Sequence, residues 1–137
     1  MTIHAEIIFA DDIRSEDNGK QILIGVYSEA LIPGTLPQTP VLALWMRLLG
    51  MPMGEYEVDV DLKFDGQSKV KVKMAVTVAD EERPLTLTVR GIPVPIDRPG
   101  ALVAELSSPK LGVFATAKLP VWEVPENAAA TTAVGPA

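Results

Sequence analysis

The stretch from Glu55 to Val78, EYEVDVDLKFDGQSKVKVKMAVTV, decides the class of this fold. Apolar and charged residues alternate strictly in it, with one interruption at Asp65-Gly66. In an extended chain successive side chains leave on opposite faces, so a period of two predicts strands with one buried face and one wet face. Asp-Gly between two such runs predicts a β-hairpin.

Parity constrains how the hairpin closes. The inward set is Tyr56, Val58, Val60, Leu62 and Phe64 in one arm and Val70, Val72, Met74, Val76 and Val78 in the other, all even-numbered. Directly opposed residues share a face, so their numbers must sum to an even value. A two-residue turn at Asp65-Gly66 pairs Phe64 with Gln67, an odd sum, and is excluded on this argument. An odd-length loop or a bulge is required. Closure over Asp65 to Gln67 pairs Asp61 with Lys71 and Asp59 with Lys73. Those four residues are expected on the exposed face, and Val58, Val60, Leu62, Val72, Met74 and Val76 in the core.

The same alternation recurs outward from the hairpin. Ile3 to Ala10 reads as the first strand and Asp11 to Gly19 as a polar loop ending in the turn signal Asn18-Gly19. Gln21 to Tyr27 is apolar on both faces, which predicts a central strand. Val41 to Leu49 is apolar on both faces apart from Arg47. Leu85 to Arg90 alternates, and Ala101 to Leu106 and Gly112 to Val121 complete the set. Ile92 to Ile96 carries Pro93 and Pro95, whose missing amide donors fit an edge strand or a polyproline-like run. No helical period persists. The prediction is all-β: an antiparallel β-sandwich of seven to nine strands, immunoglobulin-like or C2-like, with no long helix. Residues 1–126 are expected to form the domain and 127–137 a flexible Ala/Thr-rich tail.

Composition narrows the chemistry. A chain of 137 residues with 47% hydrophobic residues can bury a core without staples. A net charge of -6 argues against nucleic acid and against an anionic membrane surface. There is no cysteine, which excludes disulfides and thiolate metal sites. The first residues lack a basic segment followed by a long apolar run, so no signal peptide is expected and a cytoplasmic location is the default, or the virion for a phage-encoded chain.

Few residues suggest a site. Asp11, Asp12, Glu16, Asp17 and Asn18 form an acidic loop, and Asp11, Asp12 and Asp17 are the candidate calcium ligands, since hard oxygen donors crowd there. The spacing does not match the helix-loop-helix calcium pattern, and the alternative is a solvated turn whose carboxylates bond local amides. His4 is the only histidine, no nucleophile elbow accompanies it, and no cofactor is indicated. Gly25, inside an apolar strand, marks a bulge or a close approach. Trp45 and Trp122 read as core or rim residues. Arg47 needs a carboxylate partner or a covering subunit. Ile92, Val94 and Ile96, beside three prolines, are the candidate interaction residues; the alternative is that they close one end of the sandwich.

Two segments, FADDIR at Phe9 to Arg14 and GKQILIGVY at Gly19 to Tyr27, resemble the opening of a family of small uncharacterised bacterial and phage-associated proteins. The resemblance implies a β-sandwich and supplies no activity and no catalytic residues. The expectation is therefore a non-enzymatic interaction or structural protein that assembles with itself or a larger partner, a phage or prophage component being one form. The alternative is a module binding calcium or a small ligand.

Overall fold

The computed structural model describes residues 2–123. Eight strands account for its regular structure: β1 His4–Ser15, β2 Gln21–Val26, β3 Val41–Leu49, β4 Gly54–Phe64, β5 Gln67–Val78, β6 Leu85–Pro93, β7 Gly100–Ser108 and β8 Gly112–Val121. They form two antiparallel four-stranded sheets, ordered β2-β1-β3-β6 and β5-β4-β7-β8. The expected all-β sandwich is the architecture found, and no helix occurs among the described residues. The anticipated tail, 127–137, lies outside them.

The core collects the inward residues of both sheets. β3 contributes Leu42, Leu44, Met46 and Leu48, β4 contributes Val58, Val60, Leu62 and Phe64, and β7 contributes Leu102, Ala104 and Leu106. Each set steps by two, as one face of a strand must.

The hairpin obeys the parity argument by a different route. Asp61 pairs with Lys71 and Asp59 with Lys73, as expected. Yet Asp65-Gly66 does form the two-residue turn that parity excluded, with Phe64 opposite Gln67. Both residues have positive φ, 50 and 85, the type I′ signature. The register shifts between Leu62↔Val70 and Lys63↔Ser68, leaving Lys69 unpaired. That bulge, just past the turn, returns both apolar sets to one face.

The burial expected for four residues needs correction. Asp61 is buried rather than exposed, and its Oδ1 accepts the Ser68 hydroxyl at 2.6 Å. The cause is nonlocal: β7 lies along the other side of β4 and sets Glu105 opposite Asp61. Asp59 is half-buried, with Oδ1 unpartnered. Val72 and Met74 are half-buried rather than buried, because β5 is an edge strand and one flank stays open.

The proline segment is also corrected. Ile92, Val94 and Ile96 are core residues at 3%, 0% and 1% exposure, so they offer no interaction surface. The Val94 N–H donates to the Pro40 carbonyl at 3.0 Å and the Ile96 N–H to the Gln38 carbonyl at 2.8 Å. Pro93 and Pro95 alternate with them on the exposed side. The amides that remain are thus the ones that need partners, and the missing donors fall where none is needed.

Candidate interaction surface

β1 runs five residues beyond its expected end, through the acidic pair to Ser15. This separates the candidate calcium ligands. Asp11 and Asp12 are successive strand residues whose carboxylates bond different partners, Asp11 the Tyr27 hydroxyl and Asp12 the Arg14 guanidinium. Asp12 Oδ2 accepts from Arg14 Nε at 2.8 Å. That bond, helped by the Ile13 N–H, holds its carboxyl below the ordinary carboxylate value. Asp17 sits in the exposed turn after β1. The structure does not bring Asp11, Asp12 and Asp17 together, and among the described residues no three His, Asp or Glu side chains gather for a metal ion.

Asp11 has a different role. Its carboxylate lies over Gly25, where an added Cβ would be 2.1 Å from Oδ2, and its Oδ1 accepts the Tyr27 hydroxyl at 2.6 Å. Burial first, then this bond and the Asp11 charge, push the Tyr27 phenol up to about 12. Phe9 to Arg14 and Gly19 to Tyr27 meet here. The arrangement latches β1 to β2 through a neutral phenol held on a carboxylate.

Gly25 also turns the hairpin over. The Tyr27 N–H donates to the Phe9 carbonyl at 2.9 Å, and the Glu16 N–H donates to the Lys20 carbonyl at 2.7 Å. Along an antiparallel ladder, residues alternate between turning their backbone groups toward the partner strand and away from it. Phe9 and Glu16 are an odd number of positions apart, yet both face β2, so the alternation slips once. The register from Ala10↔Val26 to Ser15↔Gln21 is constant, with a gap only at Asp11 and Gly25, and Gly25 has φ 67. The slip is there, in a conformation that glycine adopts without penalty.

Beyond the slip the two faces of the ribbon exchange. Trp45 Nε1 donates to Gln21 Oε1 at 2.8 Å, and Arg90 Nη1 donates to the Ile13 carbonyl at 2.8 Å. β6 is two strands from β1 in the sheet order, so the far half of the hairpin leans back over the outer face. Ala10, Ile13 and Ala43 are buried there, outside the main core. Asp12, Arg14, Thr88, Arg90 and Gly91 line an open groove of about 630 Å³ between hairpin and sheet. Ile22 and Ile24 face solvent at 45% and 43% exposure, with Val26 beyond Gly25 at 49%.

β2 is an edge strand, not the central strand that its two apolar faces suggested. The four sheet edges differ in chemistry. β5 carries Lys69, Lys71 and Lys73; β6 carries Arg90 and Pro93; β8 carries Lys118 and Pro120. Charges and prolines of this kind block the addition of another strand. Gln21–Val26 has neither.

The other singled-out residues have structural places. Arg47 pairs with Glu6 across β1 and β3 at 3.1 Å. His4 is exposed at the start of β1, Trp45 is half-buried, and Trp122 is exposed. Ile22, Ile24 and Val26 were the residues that sequence reasoning missed as a surface. An apolar strand reads the same whether its neighbour is intrachain or absent. No protein-family model matches this chain, and no curated protein matches it.

Proposed function

We propose that this chain is a non-enzymatic interaction protein whose working surface is the open edge of β2, joined by an extended strand of a partner. The observation that carries the reading is an edge without charge or proline that presents Ile22 and Ile24 to solvent, while the other three edges are blocked. In strand addition, main-chain bonds supply affinity and alternate side chains supply selectivity. A partner within a larger assembly, such as a phage or prophage structure, suits this mode, because each added strand extends the sheet. The net charge of -6 favours a protein partner over nucleic acid or an anionic membrane.

Beyond Gly25, the Glu16–Lys20 bond sets the ladder phase, so the backbone groups of Ile22 and Ile24 face β1 and those of Gln21 and Leu23 face the open edge. Amide hydrogen exchange tests the reading with a short alternating Thr-Val peptide as the strand probe. The Gln21 and Leu23 amides should become protected on adding the peptide, and the Ile24→Lys variant should lose that protection. If both amides exchange equally fast with and without saturating peptide, strand addition at β2 is wrong.

A further inference from the structure

Resting on that reading, we infer that the strand which joins β2 is β2 of a second copy, antiparallel about a twofold axis at Leu23. The outward backbone groups of Gln21 and Leu23 restrict the registers available. With Leu23 opposite Leu23 of the other copy, Gln21 faces Gly25 and Ile22 faces Ile24 on both sides of the axis. The four isoleucines then meet as two close, non-hydrogen-bonded pairs on the solvent face, the arrangement in which opposed side chains approach most nearly. Sliding the register by one step of two pairs Ile22 with itself and sets Ile24 against Lys20, leaving half of the apolar match unused. Sliding by two the other way pairs Ile24 with itself and sets Ile22 against Val26, across the break in the ladder at Gly25; only the Leu23-centred register pairs all four isoleucines with one another.

The surrounding chemistry fits a twofold partner. Gln21–Val26 contains no ionisable side chain, so nothing of like charge is opposed across the axis. A second copy brings the same uncharged, proline-free edge, and the first sheets of the two copies become one eight-stranded sheet. Six residues span about 20 Å of edge, at the small end of specific interfaces, so the dimer forms reversibly in concentrated solution. Each copy carries -6, so added salt strengthens the dimer by screening repulsion. An oppositely charged partner would show the reverse.

The absence of native cysteine makes the register directly testable. Ile22→Cys and Ile24→Cys variants are oxidised separately and as an equal mixture. Opposed Cα atoms in a close pair lie within disulfide reach, so the mixture should form a covalent dimer several-fold faster than either variant alone. Sedimentation across micromolar to millimolar wild-type protein should show a monomer–dimer equilibrium that Ile24→Lys abolishes while its melting temperature is retained. Equal oxidation rates in the mixture and in the single variants overturn the register. Wild-type protein that stays monomeric throughout overturns the dimer. If the Thr-Val peptide still protects Leu23 in that case, β2 takes a foreign strand and only the self-pairing falls; if it does not, both proposals fall.

Discussion

Replacing Gly25 with alanine should destabilise the protein by about 2–3 kcal/mol, through two separable effects. The first is conformational: at φ 67 an L side chain crowds its own backbone, which costs roughly 1–2 kcal/mol. The second is a collision. The new Cβ would stand 2.1 Å from Asp11 Oδ2, 2.7 Å from its Cγ and 3.0 Å from its Cβ, so the whole carboxylate must swing away. Swinging away breaks the 2.6 Å bond from the Tyr27 hydroxyl. A buried bond to a charged group is worth about 1.5–3 kcal/mol, and at this exposed site roughly 1 kcal/mol is the fair figure. Urea unfolding of wild type, Gly25→Ala, Asp11→Ala and the double variant, in dilute protein, isolates the second effect as a coupling energy. With Asp11 truncated there is no carboxylate to displace, and Gly25→Ala should cost its conformational share plus a small adjustment at the remaining Cβ of residue 11, 3.0 Å away. A coupling near zero would refute the collision account. A total cost below roughly 0.5 kcal/mol would refute the backbone account as well, and with it the assignment of Gly25 as the pivot of the hairpin.

Three further outcomes are expected. Leu62→Ala, at 1% exposure in the centre of β4, should cost about 2–5 kcal/mol in the same assay, and a loss under about 1 kcal/mol would contradict its place in the core. Val94→Asp buries an unpaired carboxylate at a site of 0% exposure and should abolish cooperative folding by circular dichroism; a folded variant with altered assembly would instead restore the discarded surface role of Ile92, Val94 and Ile96. The Tyr27 phenol stands at about 12 against its ordinary 10.0, so the fold favours the neutral form; that stabilisation is whole below the ordinary value and is lost as pH rises through about 12. Ultraviolet titration in a Tyr56→Phe background should show this late ionisation, and Asp11→Asn should move it partway back, since burial, the larger cause, remains; an unmoved titration would remove Asp11 from the account.

How much of this was legible in the sequence depends on the range of the interaction involved. Alternation in Glu55–Val78 announced strands, a core face and the Asp61–Lys71 and Asp59–Lys73 pairs, because side-chain direction in an extended chain follows from covalent geometry. Parity demanded an odd-length loop or a bulge, and a bulge is present, placed at Lys69 beside an Asp-Gly turn that the same argument had excluded. Pro93 and Pro95 announced a segment with donors missing on one side, since an absent N–H is a property of the residue.

What the tertiary structure decided was neighbourhood. Asp61 alternates as a surface residue and is buried because β7 was laid beside β4. Asp11 and Asp12 look like the start of a loop, but pairing with β2 carries the strand through them to Ser15. β2 looks central and lies at an edge, and the flip at Gly25 turns Ile22 and Ile24 outward. Local geometry specifies which way a side chain points; only the long-range pairing of strands specifies what, if anything, it meets there.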